Sequence, residues 1–282
     1  MAKQKLVMIG NGMAGLRTIE EILERSQSQF DITIIGKEPY PNYNRIMLSN
    51  ILQKKMTVED TIMNPYDWYQ ENNIELINND PVEKVDKENK IVTTSKGIEV
   101  EYDICIFATG SKAFVLPIPG SNLPSVIGWR TIDDTNKMIE IAQTKKRAVV
   151  IGGGLLGLEC ARGLLDQGME VTVLHLADWL MEMQLDRKAG EMLKADLEKQ
   201  GMKIELQANS KEIIGDKDVE AIKLADGRVI ETDLVVMAVG IRPYTEVAKD
   251  SGLDVNRGIV VNDYMQTSDS HIYAVGECAE HD

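Results

Sequence analysis

Cysteine is scarce in this chain. Cys105, Cys160 and Cys278 stand far apart, with no C-x-x-C or C-x4-C pair. That excludes a dithiol–disulfide relay and any four-cysteine zinc or iron–sulfur site on these residues. Cys105 falls in an apolar strand pattern and Cys160 in a helical one, so both read as inert core residues. With only three histidines, a histidine-rich metal site lacks ligands. No apolar run approaches the ~20 residues needed to cross a membrane. The opening Met1–Lys5 stretch has no signal-peptide core, so the cytoplasm is the expected compartment. Positive charge is outnumbered: 31 Lys and Arg against 45 Asp and Glu leave a net charge of −14. That balance argues against nucleic acid or an anionic membrane as partner. No Ser–His–Asp or Cys–His constellation suggests a general base.

What the chain does have is a glycine-rich turn that occurs twice, about 140 positions apart. Leu6–Ile9 reads as a buried parallel strand. Gly10, Gly12 and Gly15 follow as G-x-G-x-x-G, with Met13 and Ala14 between the last two, and Leu16–Arg25 continues as an amphipathic helix. Gly10 permits the tight turn, Gly12 removes a Cβ that would block a pyrophosphate, and Gly15 lets the helix pack close to the strand. The helix N-terminus offers unpaired N–H groups and partial positive charge to the phosphates. In the second copy, Ala148–Ile151 is the strand. Gly152, Gly154, Leu155, Leu156 and Gly157 carry the fingerprint, and Leu158–Asp166 is the helix.

An acid at the end of the second strand commonly accepts hydrogen bonds from an adenosine ribose. Glu38, after the strand Asp31–Ile35, is the candidate in the first unit. In the second unit the strand Glu170–Leu174 ends at His175 instead. Without a carboxylate there, a 2′-phosphate is not repelled, and a partly protonated histidine would favour it. NAD and NADP are both permitted. Arg45, in a stretch from 39 to 50 that reads as a Pro- and Asn-rich loop, is a candidate pyrophosphate clamp.

The remaining pattern predicts a helix over 57–72 and a strand at Ile74–Ile77. Val82 then passes the adenine end, and 85–94 pairs antiparallel with 97–102. A buried strand at 103–107 is closed by Ala108, Thr109 and Gly110 at the carboxyl edge, where ligands of such sheets bind. Pro117, Pro119 and Pro124 mark a linker. A helix runs to about Lys145 and another over 186–200. An antiparallel ribbon covers 203–214, 219–224 and 228–231, and buried strands end at Gly240 and Gly276. The predicted fold class is α/β, with two Rossmann-like dinucleotide-binding domains of three ββα layers. Residues 1–116 plus 245–282 form one domain and 117–244 the other.

The chain resembles the two-dinucleotide-binding flavoproteins, the family of pyridine-nucleotide disulfide and ferredoxin reductases. The motifs that carry the resemblance are Ile9-Gly-Asn-Gly-Met-Ala-Gly15, Pro41-Asn-Tyr-Asn-Arg-Ile46, Ala108-Thr-Gly110, Gly152-Gly-Gly-Leu-Leu-Gly-Leu-Glu159, Met181-Glu-Met-Gln-Leu-Asp186 and Tyr273-Ala-Val-Gly-Glu-Cys-Ala-Glu280. Within the family it is similar to the amino-terminal flavin module of the large subunits of NAD(P)H-dependent nitrite reductases. The resemblance implies a glutathione-reductase-like fold lacking the carboxyl-terminal interface domain, with FAD on the first unit and NAD(P)H on the second.

By position, Gly10, Gly12, Gly15, Glu38 and Arg45 would hold adenosine and pyrophosphate. Ala108 to Gly110 and Arg130 would approach the flavin, and Gly276 and Glu277 its ribityl chain, where most relatives have Asp. Gly152, Gly154 and Gly157 would hold the second pyrophosphate, with Glu159 near the nicotinamide and Gly240 near its ribose. The implied activity is hydride transfer from NAD(P)H to FAD, as the electron-entry module of an assimilatory-type nitrite reductase. Siroheme and an iron–sulfur cluster would belong to the remainder of a larger enzyme. The implied partner is a downstream redox domain or small subunit, and a homodimer is compatible with this reading. A rubredoxin- or ferredoxin-type NAD(P)H reductase and a non-catalytic redox-sensing module remain as alternatives.

Overall fold

A strand, a glycine turn and a helix recur in this protein, and each copy builds its own five-stranded parallel sheet. The computed structural model describes residues 3–26 and 28–281. Gln27, in the polar 26–29 connection, lies outside the described residues, as do Met1, Ala2 and Asp282. Two compact units result: Met1–Asn44, Ile62–Lys112 and Arg242–Asp282 form the first, Arg45–Thr61 and Ala113–Ile241 the second. The sequence pattern kept 45–61 in the first domain, whereas the structure groups it with the second. The reason is packing: Gln167 Nε2 donates to the Leu52 carbonyl at 2.7 Å. Leu52 also fills the space over Gly163, where an added Cβ would meet its Cγ at 2.5 Å.

In the first unit the strand order is Ile272–Ala274, Ile104–Phe107, Gln4–Ile9, Phe30–Ile35, Ile74–Ile77, all parallel. Strand Gln4–Ile9 is apolar on both faces because both faces are covered. Val7 and Ile9 pack with Val85, Val92 and Phe107. Leu6 and Met8 pack with Leu16 and Ile19 of helix Met13–Ser26. Helix, parallel sheet and antiparallel ribbon are thus the three layers.

The second unit repeats the plan in the order Val126–Gly128, Leu234–Met237, Arg147–Ile151, Glu170–Leu174, Lys203–Glu205. Val149, Ile151, Val235 and Met237 pack against Ile213 and Ile222 of its ribbon. Thr131 starts helix Ile132–Thr144 with a capping box, its hydroxyl accepting from Asp134 N–H. No helix among the described residues is long and apolar enough to cross a membrane.

Four expected elements come out differently. Residues 39–50 are not one loop: a short strand Asn42–Tyr43, a 3-10 turn Arg45–Met47 and helix Leu48–Leu52 occupy them, because Leu48, Ile51 and Leu52 have a core to bury into. The helix over 57–72 is broken by Pro65, which forces its predecessor out of helical geometry. Strand Ile62–Asn64 ends before Pro65, a 3-10 turn Glu59–Thr61 precedes that strand, and only Tyr66–Glu71 is α-helical. The 85–94 strand is two, Val82–Asp86 and Ile91–Thr94, turned at Lys90 with φ +54°. The 203–214 strand also divides around Gln207, at φ +53°. Lys203–Glu205 joins the parallel sheet, and Ser210–Ile214 forms the ribbon with Ala221–Leu224 and Val229–Glu231.

Asp233 closes the amino-terminal edge of the second sheet. The Arg147 guanidinium reaches it from Nη2 at 3.0 Å and Nε at 3.2 Å, and the Arg147 N–H adds a bond at 3.0 Å. These contacts hold the carboxyl down at about 2, below the ordinary 3.8. A carboxyl depressed by folding stabilises the fold above its unfolded value and loses that contribution as pH falls through its folded value. Asp233→Asn is therefore expected to destabilise the protein at neutral pH. Its deficit against the native chain should shrink between about pH 4 and about pH 2 in denaturant unfolding. Parallel pH curves for the two proteins would contradict this.

Candidate functional site

The first glycine turn sits at the carboxyl ends of strands Gln4–Ile9 and Ile104–Phe107. Gly10 has φ +115°, and a Cβ there would lie 2.2 Å from the Ala108 carbonyl oxygen. Only glycine permits both the dihedral and the approach. Gly15 presses on the same residue, its Cβ position 2.9 Å from Ala108 Cβ, and Gly276, at φ +75°, lies 2.7 Å from Ala14 Cβ by the same measure. Gly10, Ala14, Gly15, Ala108 and Gly276 therefore converge at one sheet edge. Gly12 has nothing within 4 Å of its Cβ position. Helix Met13–Ser26 has no acidic residue in its first turn, so its free N–H groups face that open space with their partial positive charge uncancelled.

Polar side chains brace this turn. Asn11 Oδ1 accepts from the Tyr69 hydroxyl at 2.8 Å, and the Asn11 carbonyl accepts from Asn42 Nδ2 at 3.1 Å. Asn42 N–H donates to the Tyr69 oxygen at 3.1 Å. Glu38 accepts from the Tyr43 hydroxyl at 2.7 Å, which orients its carboxylate after the second strand. Thr109 donates to the Tyr244 carbonyl at 2.8 Å, and Gly110, at φ +65°, accepts from Tyr244 N–H at 2.9 Å. Ser111 donates to Glu277 at 2.7 Å. Val82 is half-buried, packed against the core cluster that holds Val85 and Val92.

The second turn reproduces the first. Gly152 has φ +118° with its Cβ position 2.3 Å from the Ala238 carbonyl oxygen, a Cβ on Gly157 would lie 2.0 Å from the Gly152 carbonyl oxygen, and one on Gly154 would again have nothing within 4 Å. Gly154 caps helix Leu155–Asp166 without a side-chain hydrogen bond, and no acid lies in the first turn. Leu155 and Leu156 are exposed there, while Glu159 is half-buried one turn on. Gly240, at φ +117°, accepts from Phe114 N–H at 2.9 Å.

His175 departs from expectation. It is buried, its Nδ1 accepts from Gly153 N–H at 3.0 Å, and its Nε2 lies 2.9 Å from Glu182. With Nδ1 directed at the turn's N–H, Nε2 is the ring nitrogen that faces the carboxylate. Both ring nitrogens are engaged within the second unit, and an acid unassigned by the sequence pattern, Glu182, stands beside the ring.

Arg45 belongs to the second unit, where its Nη1 donates to the Arg130 carbonyl at 2.8 Å. Arg130 N–H donates in turn to Asp134 at 2.8 Å. All three cysteines are buried, and burial pushes the Cys105 and Cys160 thiols well above their ordinary range, as inert core residues require. Among the described residues no cluster of three or more His, Cys, Asp or Glu could hold a metal ion.

The glycines divide into two kinds, and substitution separates them. Gly10→Ala meets a carbonyl and a left-handed dihedral, so a loss of roughly 2–4 kcal/mol in unfolding free energy is expected. Gly12→Ala enters open space and should cost less than about 1 kcal/mol, the loss of a tolerable helix cap. Equal destabilisation by the two would contradict this assignment.

The residues present suit two dinucleotides: two turns that each keep a glycine clear of neighbours within 4 Å, each backed by an acid-free helix N-terminus. Residues 4–282 match the family model described as pyridine nucleotide-disulphide oxidoreductase. The chain is 57% identical over 281 residues to the nitrite reductase [NAD(P)H] of Bacillus subtilis, covering 100% of this chain and 35% of that protein. It is 46% identical to the assimilatory nitrate reductase electron transfer subunit of the same organism, covering 100% of this chain and 36% of the relative. The chain thus spans about a third of the length of these curated relatives. The ferredoxin reductase of a cytochrome system from Rhodopseudomonas palustris superposes with a TM-score of 0.92 at 30% identity, over 99% of this chain and 69% of that one. Matched from end to end by the family model, with both of its glycine turns formed in space, the chain belongs to the pyridine nucleotide-disulphide oxidoreductases.

Proposed function

We propose that the first unit holds FAD, that the second holds NAD(P)H, and that the chain passes a hydride from the second to the first as the electron-entry module of a nitrite reductase. The carrying observation is the pair of matched turns, Gly10–Ala108 and Gly152–Ala238, each with an open glycine beside a helix start. The 57% identity to a nitrite reductase supports the specific assignment over a rubredoxin- or ferredoxin-type reductase, where the solved structure stands at 30%. Siroheme, an iron–sulfur cluster and a small subunit as later acceptors belong to the same proposal, as do a cytoplasmic location and a homodimer.

When bound, the nicotinamide and flavin rings supply the two-electron chemistry themselves. The chain's residues bind and orient. Gly12 and Gly154 leave room for the pyrophosphates, and the helix N-termini behind them donate N–H groups. Glu38, aligned by Tyr43, accepts from a ribose. Ala108, Gly110 and Gly276 keep the sheet edge low. No side chain is asked to take a proton from substrate, which fits the absence of a base constellation.

An anaerobic absorbance titration of FAD-loaded protein with NADH, then NADPH, tests this reading. Bleaching of the flavin band at one equivalent is expected. A flavin that stays oxidised points to the redox-sensing alternative. Gly12→Val should abolish flavin retention, whereas Gly154→Val should retain flavin and lose its reduction. Rapid turnover with rubredoxin or ferredoxin as acceptor would favour the other reductase class.

A further inference from the structure

The second unit lacks the acid that ordinarily ends its second strand, yet it carries one nearby by another route. His175 fills that position, and its ring rests on the glycine turn. A Cβ on Gly153 would lie 2.7 Å from His175 Cγ and 2.7 Å from Leu180 Cδ2. The loop that follows is fastened to the same turn. Met181 N–H donates to the Gly153 carbonyl at 3.0 Å, and the Met181 carbonyl accepts from Gln184 and Leu185 at 2.8 Å each. Trp179 Nε1 donates to the Leu185 carbonyl at 3.0 Å. Met181 itself sits at φ +53°, a conformation costly for a long side chain. The fold tolerates it there, and the next residue, Glu182, is delivered to His175 Nε2 at 2.9 Å. The Glu182 side chain is 35% exposed, against 8% for His175, so the carboxylate is reachable from solvent while the imidazole is not.

We propose that Glu182, positioned by His175, is the carboxylate that makes this chain select a nicotinamide dinucleotide with a free adenosine 2′-hydroxyl over one with a 2′-phosphate. The inference rests on the second turn being the nicotinamide dinucleotide site. Glu182 has one oxygen on His175 and acceptor capacity left for a ribose hydroxyl. A 2′-phosphate would bring like charge against it with no cation to offset the pair. From 175 to 186 the chain has no Lys or Arg. Arg187, the next cation, is committed to Asp178 and stacks on Trp179 at 4.8 Å. Arg228 is committed to Glu205 and Asp226 at 2.6 and 2.7 Å. Leu176 and Met183, each next in sequence to a member of the pair, are exposed and offer apolar surface beside it.

The test uses ADP-ribose and 2′-phospho-ADP-ribose, which carry the 2′ difference without a nicotinamide ring and need no hydride transfer. Calorimetry on the native chain is expected to show ADP-ribose bound at least about tenfold more tightly. Glu182→Gln should bring that ratio to within about threefold, chiefly by tightening the phosphorylated ligand. His175→Asn retains an acceptor for Gly153 N–H but loses the contact to Glu182, and should give an intermediate ratio. Because both constants come from one protein sample, a general loss of fold cancels. A ratio unchanged by Glu182→Gln overturns the inference while leaving the dinucleotide site standing. Failure of the native chain to bind either ligand overturns the site and the inference together.

Discussion

The close approach of two strands through a glycine governs this structure. At Gly10 and again at Gly152, the carbonyl oxygen of an alanine on the neighbouring strand occupies the place a Cβ would take, 2.2 and 2.3 Å away. No side chain shares that space, and the dihedrals of +115° and +118° suit no other residue. With the approach fixed, the next strand ends low, the helix starts beside it, and the following glycine opens onto unfilled volume. The open position beside each turn, at Gly12 and Gly154, follows from this backbone packing. The same device therefore serves two units whose surrounding residues differ.

The surroundings differ most where each turn meets polar side chains. The first turn is braced by Asn11, Asn42 and Tyr69, which share one hydrogen-bond set, while Glu38 is aligned by Tyr43. The second turn is braced by an imidazole and by a loop folded back onto the Gly153 carbonyl. Preorganised turns of this kind need little rearrangement to accept a ligand. They also let each unit carry its own oriented carboxylate, Glu38 or Glu182, on a different element.

The two turns, both helices behind them and the central strands were legible in the sequence because each rests on local signals: an apolar run, glycine spacing, a 3.6-residue period. What escaped depends on partners distant in sequence. The Tyr69 hydroxyl reaches Asn11 across 58 positions, and no local pattern marks either residue. Pro65 is the local mark that splits 57–72, between strand Ile62–Asn64 and helix Tyr66–Glu71. Strand Lys203–Glu205 was read into the ribbon because three residues show no period, and only the edge of the parallel sheet gives them a place. The two partners of His175, Gly153 N–H and Glu182, are invisible in the sequence until the loop has folded back. Glu182 looks no different in sequence from Asp178, four positions before it.

One topological detail bears on how the molecule is made. The fifth strand of the second sheet, Val126–Gly128, precedes the other four in the chain, whereas Ile272–Ala274 completes the first sheet only after the whole second unit has been traversed. During synthesis the later-encoded unit can therefore close its sheet first. The earlier-encoded strands wait, with the side of Ile104–Phe107 that Ile272–Ala274 will cover still open. That exposed strand edge is the surface a nascent-chain chaperone would be called on to shield.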